Sequence, residues 1–550
     1  MRTSKQNDPL ATNHETKPRD RSVAISGDGD DKGNPKRNKG AMQKGVDISS
    51  IPIDQPRKQT GVVFQSNPSQ ASQACSGLGN KAITDPDRLA QHVVGSLGRD
   101  VLGRLTLRRY RESWWFWDGC KYIEKTQESF NNILRGELDA YFSAINEEQI
   151  RKHEEQKRKG KPPLQVAVTS RLVKEVDQAI YRYCEVRDHV EQPAWLDVPP
   201  DPNRYISLAN GIFNIDAFLN GEENFLREHS PEYFTTVCLP YEYQNDANCP
   251  RWHQTLLDNL EGDIERYHLL QEWVGYLLSG RTDLQKFMLL VGEGRNGKTV
   301  FLSGVTALLG RDNVSNVPME QFNDQFALIT TLGKLANIAG DMSEISKASE
   351  GLIKAYTGGD SMNFNRKFKS AVQAMPTARL MFSTNVLPQF VDRSKGLWRR
   401  MSLVPFKREV PVGEVVPGMD NPQWWIDSGE LSGIFNWALE GLRRLRENGG
   451  FTESQVSVVA VEEYRNDTNS ARSFLNEHYC EAPDDRGFML LNEVYSDYKA
   501  WCKESGYATM NKATFSKEIP RMFPGVTRER KQIARRRETQ FKGISRHKPD

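Results

Sequence analysis

The stretch 286-KFMLLVGEGRNGKTVFLSGVTALLG-310 decides the reading of this chain. KFMLLV, at 286–291, is a short apolar run of the kind that forms a fully buried strand. From Thr299 onward the pattern turns helical. Between them lie Gly292, Glu293, Gly294, Arg295, Asn296, Gly297, Lys298 and Thr299. A bound phosphate needs backbone N–H donors at close range, which glycines permit, and a helix N-terminus, whose dipole favours anions. It also needs a cation for the β- and γ-phosphates, here Lys298, and a hydroxyl for Mg2+, here Thr299. The stretch therefore predicts a cradle for ATP and Mg2+ between a strand and a helix.

If the cradle is real, a neighbouring strand should carry a carboxylate. KLANIAGDMSE, at 334–344, supplies one, with Asp341 and Glu344 at the carboxyl end of a buried strand, where such sheets bind ligands. Asp341 is placed to hold Mg2+, and Glu344 to polarise the attacking water. A third strand, RLMFST at 379–384, ends at Asn385, whose amide could orient that water or the γ-phosphate. Lys298 and Asp341 are 43 positions apart, and Asp341 and Asn385 44, one strand–helix repeat each, so all three can meet at one sheet edge.

Two further features exceed a lone phosphate site. GLWRR, at 396–400, carries the adjacent Arg399 and Arg400, which could reach a neighbouring subunit's ATP. TGGDSMNFNRKFKS, at 357–370, interleaves Phe364 and Phe368 with Arg366, Lys367 and Lys369. Cations neutralise phosphates and aromatic rings stack on bases, the combination that single-strand binding uses.

The 550 residues suggest several domains. Lys+Arg 74 against Asp+Glu 72 gives a net charge of +2, so any nucleic-acid surface must be local. The seven cysteines form no C-x-x-C pair, which predicts a reduced, cytoplasmic protein without a zinc site. No membrane span and no signal peptide are expected. Residues 1–80, poor in large apolar side chains, read as a disordered tail. Residues 81–250 read as a mainly helical domain with a β-hairpin, SWWFWDGCKYIE, turning at Asp118-Gly119. The charge run at 151–163 has mixed signs and reads as a solvated helix end. A strand pair is expected around Asn210-Gly211, and a helical stretch over 250–280. Residues 281 to about 410 alternate strands and helices, the signature of a parallel α/β sheet, within a domain expected over 251–425, and 426–467 read as a helical connector. Residues 468–550 read as three helices and a basic β-excursion, a winged-helix-like domain, with ten Lys/Arg against three acids over 521–550. The competing reading of 521–550 is a basic solubilising tail.

The run from ISLANGIFNID (206–216) through PRWHQTLLDNLEGD, LQEWVGYLLSGR, GEGRNGKT, AYTGGDSMNFNRKFK, LMFSTNVLPQF and GLWRRMSLVPF (396–406) resembles superfamily 3 helicases. It is most similar to the helicase portion of phage, plasmid and poxvirus-type helicase–primases. The resemblance implies an AAA+ P-loop core that assembles into a ring, usually a hexamer, and unwinds DNA during replication. It implies Walker A at Gly292–Thr299, Walker B around Asp341, and sensor 1 at Asn385. It further implies an arginine finger among Arg399 and Arg400, and a DNA-tracking hairpin near Lys367 and Lys369. The chain departs from the many family members with adjacent acids, because Met342 and Ser343 separate Asp341 from Glu344. The resemblance covers roughly residues 90 to 410, with fewer than about 90 residues before it, so no primase centre is expected here, and a separate primase or replication initiator is the anticipated partner. Two functions follow: an ATP-driven DNA helicase, or an ATP-dependent DNA-binding switch or loader that does not unwind. A metabolic P-loop kinase would leave the basic loop and the basic C-terminus without a use.

Overall fold

The computed structural model describes residues 83–547, except 157–164, 198–203, 325, 341–346, 389, 391–394, 468, 483–486, 508 and 534–535. The segment expected to be disordered, 1–80, lies outside the described residues, as does most of the lysine-rich end of the 151–163 run.

Strands β1 (Leu107–Tyr110), β2 (Ser113–Trp117) and β3 (Tyr122–Lys125) form an antiparallel sheet. Asp118 builds the predicted turn between β2 and β3, its Oδ1 accepting from the amides of Cys120 and Lys121. The turn between β1 and β2 uses Arg111 and Glu112, two non-glycine residues with φ of 48° and 63°. Helices Gln127–Glu155 and Ser170–Cys184 cover this sheet, each N-capped by a threonine. Their shared core stacks Trp114 on Phe130, with ring centroids 4.0 Å apart. Tyr205–Leu208 then pairs with Gly211–Asn214, as the Asn210-Gly211 signal predicts.

The 250–280 stretch is two helices, Pro250–Asn259 and Ile264–Leu278. Glu261 and Gly262 break it, both with positive φ, and Asp263 caps the second helix. Periodicity continues across that break, which is why the two read as one from sequence.

The centre is a five-stranded parallel sheet of β4 (Phe287–Val291), β5 (Val314–Ser315), β6 (Ala336–Ala339), β9 (Arg379–Thr384) and β10 (Met401–Pro405). Its order is β5-β6-β9-β4-β10. Alternation along β4 divides two cores: Met288 and Leu290 face one layer, with Trp252, Trp273 and Trp437, while Phe287 and Leu289 face the other, with Phe322, Tyr356 and Phe382. Strands buried on both faces read as apolar runs, as FMLLV (287–291) and LMF (380–382) do. Helix Leu431–Asn448, within the segment expected to be a connector, packs along Ile264–Leu278 in the first of these cores. Between β6 and β9 an antiparallel hairpin, β7 (Met362–Arg366) and β8 (Lys369–Ala374), projects with Lys367 and Phe368 at its tip.

The C-terminal domain joins helices Ser470–His478, Leu491–Glu504 and Lys512–Met522 to a sheet of β11 (Phe488–Leu490), β12 (Thr527–Ile533) and β13 (Arg536–Lys542). Asn511 caps the third helix through the amide of Thr514. This is a winged helix, and it corrects the solubilising-tail reading: Phe541 and Ile544 of the basic segment are wholly buried in the core. Among the described residues no helix is long and apolar enough to cross a membrane.

Candidate nucleotide site and basic hairpin

The parallel register aligns Val291, Thr384 and Pro405, and pairs Ala339 with Phe382, so the loops after β4, β6, β9 and β10 open on one edge. The loop after β4 holds Arg295, Gly294 and Gly297 at positive φ, and the following helix, Lys298–Leu309, starts directly on Gly297. A Cβ at Gly297 would lie 2.1 Å from Nδ2 of Asn259, and one at Gly292 2.4 Å from the carbonyl oxygen of Phe406. The loop is therefore pressed against its surroundings at two glycines, and its backbone can approach a ligand closely.

Lys298 is only 5% exposed. Its ammonium donates to Gly292 O at 2.6 Å, Asn296 Oδ1 at 2.9 Å and Asn385 Oδ1 at 3.2 Å. The structure thus brings together two residues 87 positions apart in sequence. Asn296 is itself fixed by donating to Phe406 O at 3.1 Å. Beside the loop lies a cavity of about 1290 Å³, lined among others by Lys298, Thr299, Asn385, Asn259 and Arg408. Thr299 is exposed on it. Gly340, at the end of β6, lines the same cavity. Asp341 and Glu344 follow it and lie outside the described residues. Glu293 is exposed. Arg295 pairs with Glu409 at 3.6 Å, and its carbonyl accepts from Val410, so the segment after β10 closes one side.

The residues present suit a nucleotide with Mg2+. A buried ammonium, a glycine cradle at a helix N-terminus and a hydroxyl share one cavity of nucleotide size. Among the described residues no group of three His, Cys, Asp or Glu could hold a metal by itself. Arg408, whose side chain pairs with Glu414, was missed from sequence; its one signal is a basic residue just past a strand on the cradle edge.

Arg399 and Arg400 lie elsewhere. The carbonyl of Arg400 accepts from the amide of Phe287, at the start of β4, so both arginines sit at the opposite edge of the sheet from the cradle. Arg399 is exposed and donates to Gln285 at 3.3 Å. Arg400 donates to Gly396 O at 2.9 Å, while its buried Nε has no hydrogen-bond partner. Burial and the charge of Arg399 lower the Arg400 guanidinium's pKa, and burial likewise lowers that of Lys286, with Arg399 adding to it.

The hairpin cations divide. Lys367 lies over the ring of Phe326, 5.9 Å from its centroid, and Phe368 is fully exposed with φ 61°. Arg366 ends β7 and Lys369 begins β8, and they bond to the β1–β2 turn and to Ser113 and Glu124 of the N-terminal sheet. In the winged helix, Arg528, Arg530, Lys531 and Arg537 are exposed on the wing, and Lys517 on the third helix.

The fold defines an α/β protein with a parallel central sheet, a mainly helical domain before it and a winged helix behind it. Residues 99–261 match the family described as D5 N terminal like. Residues 290–400 match a family of unknown function, DUF5906, and residues 468–546 match the RFX DNA-binding domain. "Putative helicase L207/L206" of Acanthamoeba polyphaga mimivirus is 21% identical over 344 residues, 58% of this chain and 35% of that protein. "Putative helicase 184R" of Invertebrate iridescent virus 6 is 20% identical over 341 residues, 54% of this chain and 34% of that protein. The matched stretch thus spans no more than 35% of the length of either relative. Among solved structures, the apo C-terminal region of NrS-1 in its A form aligns at 11% identity and a TM-score of 0.44, over 83% of this chain and 98% of that one. In its D5-type segment and its two viral relatives, the chain is similar to viral proteins named as putative helicases.

Proposed function

We propose that the chain is an ATP-driven, ring-forming DNA helicase that acts in the replication of a phage, plasmid or similar mobile element. The observation that carries this is Lys298 held by Gly292, Asn296 and Asn385 at the carboxyl edge of a parallel sheet. A basic hairpin inserted between two strands of that same sheet supports a motor rather than a metabolic kinase.

In this reading the 292–299 backbone and Lys298 bind the β- and γ-phosphates, and Thr299 with Asp341 holds Mg2+. Bound Mg2+ neutralises developing phosphate charge. Asn385, already hydrogen-bonded to Lys298, positions the γ-phosphate or the attacking water, and Glu344 serves as general base. Arg399 and Arg400 face away from their own cradle, which supports service to a neighbour's ATP in a ring, of hexameric order in this family. Arg366, Lys367 and Lys369 contact the strand, and the winged helix adds phosphate contacts without a sequence requirement. The names of the two viral relatives agree with this activity.

The test is ATP hydrolysis with and without single-stranded DNA, together with displacement of a strand from a forked duplex. DNA-stimulated hydrolysis and displacement are expected. Stimulated hydrolysis without displacement would favour a switch or loader, and no hydrolysis would reject the nucleotide site.

A further inference from the structure

Two hairpin tips meet in this fold. One joins β7 to β8 and carries the basic residues. The other is the Arg111–Glu112 turn between β1 and β2, in the N-terminal domain. Arg366 donates through Nη1 to Arg111 O at 2.7 Å and through Nη2 to Glu112 Oε2 at 3.4 Å. The same carboxylate oxygen accepts from the amide of Ser370 at 3.3 Å. Lys369 donates to Ser113 Oγ at 2.6 Å and to Glu124 Oε1 at 3.2 Å.

The receiving turn is shaped for this. Arg111 and Glu112 both hold the left-handed conformation, which tight hairpins usually give to Asn-Gly or Gly-Gly. Non-glycine residues there are strained and persist when surrounding bonds over-determine them. Here the turn aims one carbonyl and one carboxylate at the guanidinium of Arg366. The hydrogen bond from Ser370, with Arg366 and Lys369 nearby, holds the Glu112 carboxyl below its ordinary pKa. Glu112 thus offers the cations an anionic oxygen acceptor, as a phosphate does.

The contact is also easy to exchange. The Glu112 and Glu124 side chains are 47% and 49% exposed, against 14% and 35% for Arg366 and Lys369, and carboxylates so open to water make ion pairs that salt screens. Lys367 and Phe368, at the tip, make no bond to the turn. We propose that the β1–β2 turn, with Glu124 of β3 beside it, is an acidic clasp that occupies Arg366 and Lys369, and that the phosphates of single-stranded DNA displace it. The strand meets Lys367 and Phe368 first, and Arg366 and Lys369 then trade carboxylates for phosphates. The clasp sets a threshold for engagement and couples the N-terminal domain to the hairpin. It rests on the reading of the hairpin as a DNA contact.

The experiment measures binding of a labelled oligothymidine to the full chain at low salt. Glu112→Gln with Glu124→Gln should tighten binding about threefold to tenfold, with the gain shrinking as salt rises. Glu128→Gln with Asp139→Asn removes the same charge from nearby exposed positions that do not touch the hairpin, and should give no such gain. Without DNA, hydrogen exchange over 366–370 should quicken in Glu112→Ala. Unchanged or weaker binding by the first pair, an equal gain in the control pair, or unchanged exchange would overturn the clasp. Replacing Arg366, Lys367 and Lys369 together by Ala tests the underlying reading separately. If that variant binds DNA as the unmodified chain does, the hairpin is not a DNA contact and the clasp falls with it.

Discussion

At the scale of single residues, the proposed phosphate cradle is a set of charges and close approaches. Lys298 is the only cation donating to Gly292, Asn296 and Asn385 among the described contacts. Lys298→Ala should leave the fold intact by circular dichroism and lower ATP turnover at least about 100-fold, the order seen when one preorganised donor to transition-state charge is lost. Near-normal turnover in the folded variant would remove this loop from the active site. Gly297→Ala tests the cradle's shape. The new methyl would meet Asn259 at 2.1 Å, on a residue whose φ is 82°. Urea unfolding should show a loss of about 1–3 kcal/mol, with weakened nucleotide binding. The motif was legible from spacing alone. Asn259, 38 positions upstream of Gly297 and pressed on it, had no signal in the sequence.

At the scale of elements, two helices hold the cradle's supporting layer, and their joint is polar. Glu272 of Ile264–Leu278 is wholly buried and accepts from Arg444 Nε at 2.6 Å, on Leu431–Asn448. It also accepts from the amide of Thr452 at 2.7 Å. Removing one partner of a buried pair leaves the rest unsatisfied, so Glu272→Ala should cost about 3–5 kcal/mol by urea unfolding. A loss under about 1 kcal/mol would mean that water already reaches the joint. The winged helix calls for a different design. Deleting 521–550 would strip Phe541 and Ile544 from its core and unfold it, so truncation does not report on DNA affinity. Replacing exposed Arg528, Arg530 and Lys531 by Ala should instead weaken binding similarly across DNA sequences and lower the salt slope by about one per lost phosphate contact. A slope that does not change would take the wing out of the DNA interface.

At the scale of the whole molecule, the sheet sends its cradle to one edge and Arg399 and Arg400 to the other. One chain cannot bring the two together without dismantling the strands between them. In a ring, the arginine edge of one subunit is free to meet the cradle edge of the next. Variants of Arg399 or Arg400 should bind ATP yet fail to hydrolyse it. Mixing them with Lys298→Ala should restore part of the activity, since some interfaces then join an intact lysine to an intact arginine. No recovery in well-mixed assemblies would argue against service across a boundary.

What the sequence by itself determined was local chemistry with a strong period. KFMLLV, RLMFST, the glycine cradle and the capped helices of the C-terminal domain depend on contacts between near neighbours, so they could be read in order along the chain. The Asp118-Gly119 turn was legible for the same reason, whereas the Arg111–Glu112 turn was not, because nothing in two charged residues announces a left-handed backbone. The tertiary structure decided which distant residues share a surface. It set Asn385 against Lys298, placed Arg399 and Arg400 at the far edge, and closed Arg366 and Lys369 onto Glu112 and Glu124, more than 240 positions away. Those pairings follow from strand order and register, which place residues by packing across the sheet rather than by spacing along the chain.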